Sequence, residues 1–403
     1  MPFWTSLAVP QATVFWARNN TMADFDLIGA EVLGPEGLTR DRLSVAGGRI
    51  VTDHVDRPVN LDGYLVLPGI VDLHGDGFER HVAPRRGAMK QASEGLIAAE
   101  AELAANGITT AILAQFISWE GGLRGLDFAD TVFTALAEVA DDLVTDLRGQ
   151  VRFETHQLDL YKELSGRLRT WGVDYVVLND HLPHKALSEG KEPKGAVSQA
   201  LRAGRSPKIH LEMIRAMHAA SGQVPAALDH LCAELSAQGV RMGSHDDKTA
   251  RQRAAWQSRG VTLAEFPETL EAAEAAKSAG GHVVLGAPNM VRGGSHKGNV
   301  SALDLVEMGL CDALASDYHY PSPRRAAIML WKTGVLDLVG AWRLVSSGPA
   351  QVLGLTDRGE LTAGKRADLV VLDRATLRVA ASFAQGRVGY MSGAVAERFM
   401  DSP

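Results

Sequence analysis

Short apolar runs recur along the chain, and most of them end in or beside polar residues. Helical stretches separate most of these runs, such as those at 270–279 and 303–310. Eight runs have the length of a strand, at residues 67–76, 108–114, 151–156, 175–181, 240–246, 263–267, 283–289 and 313–317. Apolar strands that alternate with helices indicate a parallel sheet covered on both faces.

The number of predicted strands favours an α/β fold of the TIM-like (β/α)8 barrel type. In such barrels the functional side chains gather at the carboxyl ends of the strands. An open, doubly wound sheet is the alternative. It is less favoured because polar residues end nearly every strand, and because no GxGxxG sequence follows an early strand.

The two ends of the chain differ from its middle. Residues 25–66 and 360–400 contain short strand-like pieces broken by Gly and Pro. We therefore predict a small β-sandwich domain formed from both termini, with the barrel inserted. The expected division is an extension (1–24), an N-terminal sandwich segment (25–66), the barrel (67–350) and a C-terminal sandwich segment (351–403). The polar Gly/Lys/Ser stretch 188–206 is predicted to be a loop.

The composition of the chain argues against several classes of protein. Of the 403 residues, 41 are Lys or Arg and 48 are Asp or Glu, giving a formal net charge of −7. This acidity argues against general nucleic-acid binding, and no apolar run is long enough to cross a membrane. Cys232 and Cys311 are far apart, which excludes a disulfide scaffold and favours a cytoplasmic location.

Candidate metal ligands lie at the predicted strand ends. His74 and Asp76 are two residues apart, so on a strand their side chains point the same way. Each residue alone could be an ordinary polar strand end. Together, carboxylates meeting at one barrel mouth would repel each other unless one or two divalent cations held them. The other candidates at strand ends are Glu154, His181, His245, Glu265 and Asp317.

A glycine-rich segment at 286–299 carries polar and basic side chains. Such a segment lets backbone N–H groups approach an anion while cations neutralise it. A solvated loop is the alternative interpretation. The candidate anion-binding residues are Asn289, Arg292, His296 and Lys297, together with Arg85 near another strand-end loop.

Several motifs resemble the amidohydrolase superfamily, and within it the phosphonate-metabolism branch. The general resemblance rests on the Pro-Gly-Ile-Val-Asp-Leu-His stretch ending at His74 and on the segment 359–370. The branch-specific pieces are segments 244–247, 264–267, 286–300 and 316–318. This branch is similar to the chain in carrying His-x-Asp on the first strand, where most amidohydrolases carry His-x-His.

The resemblance implies roles for particular residues. His74, Asp76, His245 and Asp317 map onto metal-centre positions, and Asp317 is also the catalytic base. Glu154 is implied to supply the carboxylate that other members take from a carboxylated lysine. Glu265 replaces the histidine of strand six, and Glu265 and His181 are further metal candidates. The implied cofactor is one or two divalent ions, of zinc, manganese or a similar metal.

The resemblance also implies a reaction, namely metal-dependent release of pyrophosphate from the 5-triphosphate of a ribose 1-methylphosphonate or related alkylphosphonate. It implies a homo-oligomer that works beside other phosphonate-pathway enzymes. Two departures lie near the site: Gly77 stands where the branch usually has Asn, and the segment 84–87 is shortened. A deaminase or amide hydrolase on the same scaffold and a non-catalytic scaffold subunit remain the alternatives.

Overall fold

The computed structural model describes residues 24–84, 91–293 and 300–402. The predicted extension 1–24 lies outside these ranges except for its last residue, and so do Arg85, His296 and Lys297. Within the described ranges, no helix is both long and apolar enough to cross a membrane.

The strands fall into three sheets. In chain order they are β1 (Phe25–Ile28), β2 (Glu31–Gly34), β3 (Gly37–Thr39), β4 (Leu43–Ala46), β5 (Arg49–Val51), β6 (Pro58–Asn60), β7 (Tyr64–Pro68), β8 (Ile70–Gly75), β9 (Ile108–Ile117), β10 (Asp146–Glu154), β11 (Tyr175–Asn179), β12 (Arg241–His245), β13 (Leu263–Glu265), β14 (His282–Gly286), β15 (Ala313–Ala315), β16 (Leu369–Asp373), β17 (Val379–Ala384) and β18 (Arg387–Met391).

Strands β8 to β15 form one parallel sheet in sequence order. The sheet closes on itself where β15 meets β8. The Asp317 N–H donates to the His74 carbonyl at 3.0 Å, and the Asp76 N–H donates to the Asp317 carbonyl at 2.8 Å. All ten residues of β9 are buried, as expected for a strand enclosed on both faces. The predicted (β/α)8 barrel is confirmed.

Helices cover the outside of this barrel and connect its strands, except that α16 packs on the terminal domain. They are α1 (Glu79–Val82), α2 (Ala92–Ala105), α3 (Leu126–Val139), α4 (Tyr161–Trp171), α5 (His184–Ser188), α6 (Ala196–Arg202), α7 (Pro207–Ala219), α8 (Val224–Ala237), α9 (Ala250–Gln257), α10 (Leu270–Ser278), α11 (Ala287–Arg292), α12 (Ala302–Glu307), α13 (Ser322–Lys332), α14 (Leu338–Arg343), α15 (Ser347–Val352) and α16 (Ala394–Met400), with short 3-10 turns at Leu158–Leu160 and Ser221–Gln223.

The remaining strands form the two sheets of the terminal domain. One has the order β5-β4-β1-β6 and the other β18-β17-β16-β7-β2-β3, so the second joins strands from both ends of the chain. Their apolar faces share a core in which the rings of Phe25 and Phe383 lie 5.3 Å apart. The predicted sandwich from both termini is therefore confirmed.

Two local predictions were wrong. The apolar run 67–76 is two strands, because β7 ends at Pro68 and the chain turns at Gly69 into β8. A Cβ at Gly69 would lie 2.3 Å from the Thr109 hydroxyl, so only glycine fits this close approach. The stretch 188–206 is not a single loop: it contains α6, in which Ala196 and Ala200 are buried at a spacing of one helical turn.

Candidate metal centre

Three potential ligands from three different barrel strands meet at the carboxyl end of the barrel. His74 is on β8, His245 ends β12 and Glu265 ends β13. Their ligand atoms lie within 4.8 Å of one another. His74 Nδ1 is 2.7 Å from Glu265 Oε2, and both side chains are fully buried. We call this group the central triad.

The triad keeps buried polar atoms without hydrogen bonds. Among the described residues, Nε2 of His74 and Nε2 of His245 have no hydrogen-bond partner, whereas Nδ1 of His74 and Oε2 of Glu265 contact each other. Buried polar atoms are normally satisfied, and leaving them unpaired costs about 1–3 kcal/mol each. Imidazole nitrogens and a carboxylate oxygen are ligands of divalent metals. The donor set of the central triad therefore fits such an ion.

Two residues that the sequence did not single out hold the Glu265 carboxylate. Its Oε1 accepts hydrogen bonds from Gln150 Nε2, at 3.0 Å, and from the Tyr175 hydroxyl. These bonds leave Oε2 turned towards His74. Partners of this kind orient metal ligands and tune their basicity.

Replacing Tyr175 with Phe is expected to weaken binding of a divalent ion by about 10–100-fold, because the Glu265 carboxylate loses an orienting hydrogen bond. Titration of the metal-free protein against a chelator-buffered metal measures the change. Tyr390→Phe is the matched control, since Tyr390 donates to Ser392 in the terminal domain. Equal affinities in the two variants would exclude the orienting role of Tyr175.

The protonation states of two members of the triad suit metal binding. Burial, together with the nearby Arg152, lowers the pKa of His245 to about 4, so this imidazole is neutral at pH 7. Burial opposes ionisation of Glu265, but His74 outweighs it and lowers the pKa of the carboxyl. His245 and Glu265 are thus in ligand form. Burial opposes the charged form of His74, but Glu265 raises its pKa, so His74 must lose its proton to bind an ion.

A buried guanidinium that sequence reasoning missed lies among these groups. Arg152 on β10 donates from Nη2 to Asn179 Oδ1 at 3.2 Å and lies 3.2 Å from His181 Nε2 and 3.1 Å from His245 Nδ1. Its guanidinium also stacks over Phe116. Part of the expected repulsion between carboxylates is therefore offset by this cation. The alternation of Gln150, Arg152 and Glu154 along a buried strand was the signal that could have revealed it.

Glu154 and His181 pair with each other rather than with the central triad. The Glu154 carboxylate accepts from the Asn179 side chain and from the His181 N–H at 3.2 Å, and it contacts His181 Nδ1 at 3.0 Å. Burial opposes the charged form of His181, but its bonds to Asp246 and Glu154 raise its pKa to about 9. In the metal-free protein His181 is therefore a cation.

Asp317 lies at the closing seam of the barrel, beside Asp76. Its backbone is held in the left-handed region with φ 54°, as is that of Asp246 with φ 60° and Phe266 with φ 52°. Such strain in residues other than glycine is typical of functional sites. Burial and the charge of Asp76 raise the pKa of Asp317 to about 6. A carboxylate with this pKa is suited to accept protons near neutral pH.

The predicted anion-binding residues that the structure describes open onto the same space. Asn289 and Arg292, at the end of α11, line a cleft of about 480 Å3 together with Arg152, His245 and Asp317. Asn289 Oδ1 accepts a hydrogen bond from Arg292 Nη2 at 2.6 Å. Candidate metal ligands and cationic groups therefore share one cleft.

Gly77, which stands where the phosphonate-metabolism branch usually has Asn, lies against the side chain of a neighbouring arginine. Gly77 is buried, and a Cβ there would lie 2.8 Å from Arg80 Nη1. That guanidinium donates to the Tyr318 carbonyl at 3.2 Å and lies over the Tyr320 ring. The glycine thus leaves room for Arg80 where a larger side chain would displace it.

Known proteins are similar to this chain in sequence. The model of the amidohydrolase family matches residues 79–395. The alpha-D-ribose 1-methylphosphonate 5-triphosphate diphosphatase of Escherichia coli (strain K12) is 33% identical over 326 residues, which cover 78% of this chain and 84% of that protein.

Solved structures share the fold at lower identity. N-acetylglucosamine-6-phosphate deacetylase from Pasteurella multocida has a TM-score of 0.60 at 11% identity, covering 91% of this chain and 99% of its own. Beta-aspartyl dipeptidase from Fervidobacterium islandicum AW-1 has a TM-score of 0.56 at 13% identity, covering 92% of this chain and 98% of its own. These structures show the fold alone. The sequence matches show the family: the chain belongs to the amidohydrolase family, a family of hydrolases that generally uses divalent metal ions.

Proposed function

We propose that the chain is a metal-dependent diphosphatase that acts on α-D-ribose 1-methylphosphonate 5-triphosphate, or on a related alkylphosphonate. The products are the 5-phosphate and pyrophosphate. The observation that carries the proposal is the relative of that name, which is similar to this chain over most of both sequences. The cleft supports it, because it places cationic side chains beside the central triad, as a polyanionic substrate requires.

His74, His245 and Glu265 would hold a divalent cation. Asp76 and Asp317 lie beside them, and His181 with Glu154 could serve a second ion once His181 loses its proton. Such a cation lowers the pKa of water and offsets negative charge that develops on phosphoryl oxygens. The choice among zinc, manganese and similar metals belongs to the same proposal.

Asp317 would take the proton from the attacking water. The water oxygen forms a bond to the phosphorus nearest the ribose, and the anhydride bond to the next phosphorus breaks. Pyrophosphate leaves with the bonding electron pair. Catalysis of this kind depends on positioning and on stabilisation of charge.

The positive groups would bind the phosphoryl oxygens. Arg152 and Arg292 lie in the cleft, and the Asn289 amide is beside Arg292. The remaining proposed anion-binding residues are Arg85, His296 and Lys297. We further propose that the protein works as a cytoplasmic homo-oligomer beside other enzymes of the carbon–phosphorus lyase pathway.

Replacing Arg292 with Ala is expected to raise KM for the triphosphate substrate by about 10–100-fold. This is the loss of affinity expected when one hydrogen bond to a charged group is removed. The effect should shrink as salt rises, because salt screens such attraction. Steady-state kinetics at low and high salt measure both effects. Arg343→Ala is the control, because this exposed arginine is on α14. A KM unchanged by Arg292→Ala and by salt would favour an uncharged substrate.

The reaction itself is tested by measuring pyrophosphate released by the metal-loaded protein. The substrates are α-D-ribose 1-methylphosphonate 5-triphosphate, nucleoside triphosphates and a panel of amides and aminated ring compounds. We expect the highest kcat/KM with the phosphonate. A preference for an amide or amine would support the amide hydrolase or deaminase alternative. Metal-loaded protein with no turnover on any substrate would support the scaffold alternative.

A further inference from the structure

A second cluster of histidines lies at the ends of β10 and β11, outside the central triad. It consists of His156, Asp180 and His184, whose ligand atoms lie within 4.8 Å of one another. The proposed reaction uses none of these three residues. We call this group the outer cluster.

The side chains of the outer cluster converge on the Asp180 carboxylate. His156 Nδ1 is 3.4 Å from Asp180 Oδ1, and His184 Nε2 is 3.1 Å from Asp180 Oδ2. The two imidazole rings lie 4.8 Å apart. His156 is buried, whereas the Asp180 and His184 side chains are 43% and 35% exposed. An ion can therefore reach the cluster from solvent.

Two further residues hold the histidines by their other ring nitrogens. His156 Nε2 lies 3.2 Å from the Ser221 hydroxyl, and His184 Nδ1 lies 2.8 Å from His218 Nδ1. At the second contact one nitrogen must donate and the other accept. If His184 Nδ1–H donates, the lone pair of its Nε2 faces Asp180. This arrangement is typical of metal-binding histidines, whose second nitrogen is fixed by a neighbour.

Simple ion pairing explains the cluster less well. Three imidazoles, those of His156, His184 and His218, share the neighbourhood of one carboxylate. A single carboxylate can offset the charge of only one of these rings. Ion pairing with Asp180 therefore does not account for all three, whereas a neutral imidazole is the form that binds a metal.

We propose that His156, Asp180 and His184 form a further metal site, separate from the central triad and from the Glu154–His181 pair, that takes a divalent metal ion such as Zn2+. Two imidazoles and one carboxylate are a common ligand set for this ion, and three protein ligands leave a fourth position for water or a substrate oxygen. The outer cluster lines the same cleft, of about 1480 Å3, as His181 and Asp246. The site stands independently of the proposed reaction, since it rests on its own contacts.

The test counts metal ions on the full-length protein without substrate. Metal-free wild type and the variants His184→Ala and Asp180→Asn are dialysed against buffered Zn2+, and zinc per chain is measured by mass spectrometry. His230→Ala is the control, because His230 is exposed on α8. A His74→Ala/His245→Ala variant removes the central triad instead. Circular dichroism checks that each variant is folded.

We expect His184→Ala and Asp180→Asn each to bind one Zn2+ fewer than wild type, or to bind that ion at least about 10-fold more weakly. His230→Ala should match wild type, and the triad variant should keep the ion of the outer cluster. Co2+ bound to the triad variant should show the visible absorption of a four-coordinate ion. Zinc content and affinity equal to wild type in both outer-cluster variants would overturn the proposal, whatever the outcome of the pyrophosphate assay.

Discussion

Replacing Asp317 with Asn is expected to reduce turnover by at least roughly 10²-fold, the lower end of what a lost general base costs. The amide cannot accept the proton, although it keeps the size of the side chain. Metal binding should persist, because the central triad supplies three buried ligands without Asp317. Steady-state kcat and the metal content of the same preparation measure the two effects together.

The control for this variant is Asp304→Asn, which changes an exposed aspartate on α12. It removes the same charge from the chain and should leave kcat unchanged. Turnover of Asp317→Asn within a few-fold of wild type would remove Asp317 from the role of base.

Replacing Glu265 with Gln is expected to weaken metal binding by at least about 100-fold. Loss of an outer partner of a metal ligand costs about 10–100-fold, so loss of a direct ligand should reach the upper end. The substitution keeps the shape of the side chain but removes its negative charge. Competition with a chelator measures the affinity, in a His184→Ala background so that the outer cluster adds no signal.

Glu274→Gln is the matched control, because Glu274 is exposed on α10 whereas Glu265 is fully buried. It should bind metal as tightly as the parent protein. If Glu265→Gln also kept the parent affinity, the ion would not be bound by the central triad.

The barrel could be predicted from sequence because the burial of each strand is visible in that strand's own residues. A strand enclosed on both faces needs a continuous apolar run, and β9 shows such a run with every residue buried. The split of the first run into β7 and β8 could not be predicted in this way. The membership of β7 in the terminal sheet depends on its pairing with β16, about 300 residues later in the chain.

The sequence predicted at which end of the barrel the candidate ligands lie, but not which of them contact one another. His74, His245 and Glu265 end strands that meet at one mouth, so their approach follows from the fold. Glu154 ends a strand as well, yet Asn179 and His181 occupy its carboxylate. No spacing along the chain distinguishes these two glutamates, because the difference is made by contacts across the barrel.

Residues that support the site were the hardest to predict. Tyr175 and Gln150 act through hydrogen bonds to Glu265 across the barrel. Arg152 is a cation on a buried strand, a position in which a charged side chain is costly unless it is paired. Its partners, Asn179, His181 and His245, come from other strands. A sequence pattern identifies the residue types but not these pairings.

Anomalous X-ray diffraction from crystals loaded with Zn2+ or Mn2+ is the most direct test of the central claim. That claim is that ligands from three strands of the barrel, β8, β12 and β13, hold one ion. We predict an anomalous peak at coordination distance, about 2.0–2.2 Å, from nitrogen atoms of His74 and His245 and an oxygen of Glu265. Fully loaded crystals with no peak at this triad would contradict the account.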